Sequence, residues 1–154
     1  MIKINVILNN IIWKKYLKDP NSFIDKKIKL LNKKNKSYKK NTLICSLLLS
    51  GTSEIKKLNK RFRKKNKSTD VLSFPFYEKK QLNNKIKKEK EIYLGDIIIN
   101  LNEIKNKNNK TKFQEKLNRL WIHGLVHLFG YQHKKDNDFY DMQKIEKKYL
   151  EYIN

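Results

Sequence analysis

Apolar and β-branched residues alternate with polar ones at the start of the chain, which predicts an opening strand over residues 2–8. Residues 11–18 fit a short helical turn. Asp19 and Pro20 then stand as an N-cap followed by a proline at the first helical position. Phe23, Ile24, Ile28 and Leu31 recur at helical spacing to about residue 34. Residues 32–41 are rich in lysine and asparagine, carry no apolar period and read as a loop. Residues 42–49 are almost continuously apolar, the pattern of a central strand buried on both faces. After the turn at Ser50, Gly51 and Thr52, a helix places Ile55, Leu58 and Phe62 on one side. A basic connection over 64–67 leads to a strand over 71–77, where Pro75 predicts a sheet edge because it has no N–H to give. Residues 78–91 are nearly all charged or polar and read as a mobile, solvated excursion. Residues 92–101 form another strong strand, followed by a polar connection over 102–110 with room for one helical turn. Thr111 and Gln114 match a capping box. They open a main helix with Phe113, Leu117, Leu120 and Trp121 on its core face, running to residue 129. A last amphipathic helix spans 136–153, with Phe139, Met142, Ile145 and Tyr149 in register. Four strands and about four main helices make an α/β (α+β mixed) domain without internal repeats.

The 154 residues suffice for one domain, 1–154, and are too few for two comfortable ones. Charge changes the picture. Against 15 acidic residues stand 37 basic ones, a formal net charge of +22. Such an excess implies a polyanionic partner, either nucleic acid or an anionic surface. Lysine and asparagine are enriched everywhere, however, so part of the excess is compositional drift. Arg61, Arg63 and Arg119 are the only arginines, and they stand out against that background. The single cysteine, Cys45, excludes an intrachain disulfide and sits in an apolar run, as a core thiol would. No apolar run is long enough to span a membrane. Asn5, Asn9 and Asn10 interrupt the start, so no signal peptide is expected and the chain is expected in the cytoplasm.

The candidate chemistry lies in eleven residues, 123–133, which hold all three histidines. His123 and His127 are four apart and share one helix face, so two imidazoles can grip one metal ion. Gly130 then ends the helix by taking a left-handed conformation. The turn lets His133 swing back over the same face, giving H-x3-H-x5-H. Three neutral nitrogens with an open fourth position describe one catalytic zinc per chain, with a water in that position. Metallopeptidases of the H-E-x-x-H type carry a glutamate base after the first histidine. Here that position is Gly124.

The sequence HGLVHLFGYQH resembles the HGxLHLxGYDH signature of the YbeY family of metallo-endoribonucleases. Two further blocks agree in order and spacing. Leu58-Asn59-Lys60-Arg61-Phe62-Arg63 with 68–75 resembles LNxxYR…PTDVLSFP, and Leu94-Gly95-Asp96-Ile97 resembles LGDI. Gln132 stands for the family's usual aspartate, Val126 for a leucine and Ser68 for a proline. The resemblance implies a zincin-like fold with a four-stranded, mostly parallel mixed sheet and one antiparallel edge strand. It implies a zinc-dependent, single-strand-specific endoribonuclease acting in 16S rRNA 3′-end maturation and ribosome quality control. The partners would be single-stranded RNA, the small ribosomal subunit and its assembly factors; no membrane is involved and a monomer is expected. Phosphodiester hydrolysis needs a cation against the transition-state charge. Arg63, at the family's arginine position, is the candidate, with Arg61 off the motif as its control; the alternative for Arg63 is a helix C-terminal cation. Thr69, Asp70 and Ser73 shape the strand entering the cleft, Thr69 and Ser73 as candidate substrate contacts and Asp70 alternatively as a turn cap. Asp96 could buttress a ligand histidine or satisfy local backbone. Tyr131 could stack a base or simply pack beside the third ligand. The rival functions are a non-catalytic basic ribosome-assembly factor with a structural zinc, and a zinc hydrolase of another substrate such as a peptide.

Overall fold

A computed structural model of the chain describes residues 1–132 and 136–154. Its elements follow in the order β1 (Ile2–Leu8), α1 (Trp13–Tyr16), α2 (Pro20–Lys34), β2 (Thr42–Ser50), α3 (Thr52–Arg63) and β3 (Val71–Pro75). They continue with α4 (Lys79–Lys88), β4 (Glu91–Asn100), one 3₁₀ turn (Leu101–Glu103), α5 (Lys110–Leu128) and α6 (Asp136–Ile153). The strands form one sheet in the order β1-β2-β4-β3. β1 pairs parallel with β2 and β2 parallel with β4. β3 lies antiparallel at the edge, where Pro75 is tolerated. The mixed, mostly parallel sheet is therefore as the resemblance implied.

Side-chain alternation divides the sheet into two unequal faces. Leu43, Cys45, Leu47 and Leu49 of β2 point to the main core with Ile97 and Ile99 of β4, under α2, α5 and α6. The other face carries a small cluster of Ile55, Leu72 and Ile98 under α3. β2 was expected to be buried on both faces and is not: its alternate residues Ile44, Ser46 and Leu48 are only half-buried. The reason is that α3 covers that face incompletely and leaves an open groove of about 360 Å³ over Ser46, Leu48, Phe74, Asp96 and Ile98. Phe62, on the far turn of α3, is 58% exposed for the same reason and meets Phe74 at 5.2 Å between rings.

Three other expectations change. The excursion at 78–91 contains a ten-residue helix, α4. A capping box starts it: the Glu78 backbone N–H donates to Gln81 Oε1 (3.1 Å), while the Glu78 side chain accepts from the backbone N–H of Gln81. Leu82, buried, and Ile86 four residues on give it a narrow apolar stripe that the surrounding lysines hide in sequence. The main helix opens one residue before Thr111, and its N-cap is Asn109, whose Oδ1 accepts from the Lys112 N–H at 3.0 Å. An asparagine is an equally good cap, and the polar run before it offered several. On α6, Met142 and Tyr149 are buried as expected, but Phe139 is 41% exposed.

Candidate metal centre

α5 is the buried spine of the molecule. Phe113, Leu117, Trp121, Ile122, Leu125 and Leu128 are fully enclosed, and the helix lies directly against β3 and β4. Gly124 is what permits that approach. A Cβ there would sit 2.6 Å from Ile97 Cγ2 and 3.1 Å from Ser73 Oγ. A glutamate in the peptidase-base position would therefore collide with the sheet. The close contact also fixes the rotation of α5, so that His123 and His127 emerge half-buried on the side away from the sheet's centre.

The two imidazoles meet edge to face, with ring centroids 4.6 Å apart. Each is oriented through its Nδ1. His123 Nδ1 lies 2.7 Å from Glu146 Oε1 on α6. His127 Nδ1 lies 2.8 Å from the Tyr131 carbonyl oxygen. A carbonyl and a carboxylate oxygen can only accept, so both Nδ1 atoms carry the proton and both Nε2 atoms present lone pairs. Those two Nε2 atoms face one another at 3.1 Å. Two lone pairs at that distance repel unless a cation, proton or metal, is shared between them. Two nitrogens bound tetrahedrally to one zinc at about 2.0–2.1 Å would be about 3.3 Å apart. The pair thus fits a metal in spacing, tautomer and support.

Among the described residues, no third His, Cys, Asp or Glu joins the pair in a group able to hold a metal. His133, the third expected ligand, lies outside the described residues. The turn leading toward it is as expected: Gly130 has φ 85° and its N–H donates to the His127 carbonyl at 2.8 Å. A Cβ on Gly130 would lie 2.7 Å from Lys79 Cβ, so the start of α4 packs on this turn.

The carboxylate behind His123 is Glu146 and not Asp96. Asp96 lies on the opposite face of the sheet and accepts from the Tyr93 hydroxyl at 2.6 Å. Burial, and then this hydrogen bond, raise the Tyr93 pKa, so Tyr93 keeps its proton. Asp96 and the histidines are separated because Ile97, the next residue, is the one that faces α5. The signal for Glu146 was weak: a carboxylate beside the inward stripe of α6, one turn after Met142.

Arg63, the last residue of α3, stands in the basic last turn of that helix and also reaches across to the edge strand. Its Nη2 donates to the Ser73 carbonyl of β3 at 3.0 Å, and its guanidinium lies 5.8 Å from the centre of the Phe74 ring. Arg61 instead lies 5.3 Å from the centre of the exposed Phe62 ring. Ser73 links the two sides of the edge strand: its carbonyl holds Arg63, and its buried side chain rests on Gly124 between the histidines. Thr69 and Asp70 are fastened by Asn100, a fully buried residue at the end of β4. Asn100 Nδ2 donates to Ser68 Oγ (2.9 Å) and to the Thr69 carbonyl (3.3 Å), and the Asn100 N–H donates to the Asp70 carbonyl (2.9 Å). Ser68, where the family has proline, is thus anchored by a hydrogen bond. Asp70 also receives Lys116 Nζ at 3.1 Å. Tyr131 is half-buried with Lys79 Nζ 4.1 Å from its ring centre, and burial first, then Asp141, raise its pKa.

Residues 9–154 match the family model described as endoribonuclease YbeY. The endoribonuclease YbeY of Pelagibacter ubique is 41% identical over 148 residues, covering 95% of this chain and 92% of that protein. Those of Thermodesulfovibrio yellowstonii and Ehrlichia canis are 37% and 34% identical, covering 82% and 98% of this chain and 74% and 92% of their own length. The solution structure of TM1509 from Thermotoga maritima superimposes with a TM-score of 0.59 at 28% identity, over 98% of this chain and 89% of that one.

Proposed function

Because the chain belongs to the endoribonuclease YbeY family, we propose that it is a zinc-dependent endoribonuclease that cleaves single-stranded RNA. One zinc is held by His123, His127 and His133. The substrate is the 3′ end of 16S rRNA, met in the cytoplasm on the small ribosomal subunit with its assembly factors, and the enzyme acts as a monomer. The observation that carries this reading is the pair of Nε2 lone pairs converging at 3.1 Å with both Nδ1 atoms tied down. The net charge of +22 suits a polyanionic substrate. Among the described helices none is long and apolar enough to cross a membrane.

The protein's own groups divide the work. Glu146 and the Tyr131 carbonyl hold the imidazoles in the tautomer that offers Nε2. When bound, zinc supplies a Lewis acid for a phosphoryl oxygen and a nucleophile at neutral pH. Arg63 spends one of its five N–H groups on Ser73 and keeps the others, in a rigid fork, for phosphate oxygens. Anchored this way, the guanidinium needs little reorganisation when charge builds on the phosphoryl group. Gly124 leaves no room for the glutamate that a peptidase of this type uses, which weighs against peptide hydrolysis.

Single-turnover cleavage of single-stranded RNA at saturating protein tests the reading. Activity should vanish with a chelator and no peptide should be cut. Arg63→Ala should lose about 10²-fold in the chemical step with folding and metal content intact, whereas Arg61→Ala should change it hardly at all. Elemental analysis should find zinc lost from His127→Ala. Cleavage that survives chelation, or equal losses from the two arginine variants, would overturn the mechanism.

A further inference from the structure

Arg119, like Arg61, is used neither by the motif nor by the mechanism above, and of the two only Arg119 lies on the histidine helix. It stands one helical turn before His123 on α5, and Arg119, His123 and His127 follow at i, i+4 and i+8 along one face. Each step rises about 6 Å. A pocket of about 410 Å³ opens there, walled by the start of β3, by α5 and by α6. It contains His123 itself, together with Asp70, Lys116, Arg119 and Glu146.

The charges in this pocket are mostly spoken for. Lys116 Nζ is bound to Asp70 Oδ2 at 3.1 Å, and Glu146 is bound to His123 Nδ1 at 2.7 Å. Arg119 is exposed and makes no ion pair among the described residues. The pocket therefore presents one uncommitted guanidinium beside the histidine pair, and a guanidinium binds phosphate oxygens bidentately. The Lys116–Asp70 pair is internally neutral, while Glu146 keeps its negative charge turned toward the N–H of neutral His123, so the guanidinium is the pocket's one unpaired cation among the described residues. Arg63 is held on a different element, by the Ser73 carbonyl of the edge strand β3.

We infer that Arg119 and this pocket form a second phosphate subsite, which holds the RNA phosphate next along the strand from the one at the histidine pair. The subsite rests on the endoribonuclease reading and deepens it. Its consequence is that the strand runs along the α5 face past Arg119, His123 and His127, and that at least one nucleotide beyond the scissile linkage is gripped by its backbone without regard to base.

The test measures binding of short single-stranded RNA over a range of salt, and then cleavage. Arg119→Gln should weaken binding about 10-fold and reduce the salt slope by about 0.7, the loss of one phosphate contact. Lys29→Gln, which removes a charge from an exposed position on α2, should do much less. Arg119→Lys should recover part of the affinity, having charge but no fork. RNAs in which single phosphates are replaced by neutral methylphosphonates localise the contact. At one linkage beside the cleaved bond the replacement should weaken the natural protein about 10-fold and cost Arg119→Gln nothing further, the signature of a shared interaction. If Arg119→Gln matches Lys29→Gln in affinity and slope while the natural protein binds and cleaves RNA, the subsite is wrong and the enzyme reading stands. If the natural protein neither binds nor cleaves RNA, both fall.

Discussion

Glu146 shows how much a single residue can carry that its own sequence neighbourhood does not advertise. Its carboxylate orients His123 from a helix 23 residues further on. Through the Nδ1–H it fixes the tautomer and the ring orientation that turn Nε2 toward a metal. Glu146→Gln keeps the shape and removes the charge, so zinc affinity, measured by competition with a chelator, should fall about 10–100-fold with little change in thermal stability. Unchanged affinity would mean that the carboxylate only fills the space behind the ring. Gly124 works in the opposite sense, through absence. Without a side chain it lets α5 settle on Ile97 and Ser73, and that contact sets the angle at which both histidines leave the helix.

At the level of elements, α4 buries little apolar surface of its own. One buried residue, Leu82, and a capping box at Glu78 keep it folded amid a run of lysines. It also abuts Gly130, the turn that ends α5 and leads toward His133. Leu82→Ala should cost about 2 kcal/mol at most, the low end for a buried leucine, because a weakly held element can loosen locally. Hydrogen exchange should locate the loss in α4, with the amides of β2 and β4 unaffected. Exchange that quickens equally throughout the sheet would show α4 to be part of the global folding unit. The edge strand β3 is short and Pro75-terminated, yet Asn100 fastens its start and Arg63 its middle. A strand so fixed can hold its rim beside the histidines without a further strand to pair with.

Over the whole molecule, the main core lies on one side of the sheet, and Cys45 sits in its middle, fully buried on β2. Burial, and secondarily the Asp96 charge, push its thiol up to about 12 from an ordinary value of 9.0. The unfolded chain releases that proton at lower pH than the folded one does. Stability from this group is therefore complete below about pH 9 and is lost as pH rises toward about 12. Denaturant unfolding of the natural protein and of Cys45→Ala should show the difference between them narrowing over that interval, and the native thiol should resist alkylation at pH 8. Ready labelling under native conditions would contradict the packing of β2. The same division of the sheet leaves the α3 face open over Ser46 and Asp96, so the protein has one well-filled side and one shallow one.

Elements whose signal is local were legible in the sequence: the alternation of β1, the apolar run of β2, the Asp19–Pro20 start of α2, Pro75 at an edge, and the i, i+4 histidines before a glycine. In each, the residue carries its own conformational reason. α4 was missed because its stripe is two residues wide and its charge reads as solvation, whereas the Gly130 turn against Lys79 and the Asn41 amide donating to the Ile86 and Glu89 carbonyls hold it from outside. The double burial expected of β2 failed because periodicity reports which residues are apolar and not whether a covering helix is long enough to reach them. For the site, sequence spacing placed His123 and His127 on one face. Their tautomers, the partner Glu146 and the anchoring of Arg63 on Ser73 depend on contacts between elements far apart in the chain. Asp96 and Glu146 are the sharpest contrast. Both are carboxylates on elements near the histidines, and only the side of the sheet to which β4 turns Asp96 decided between them.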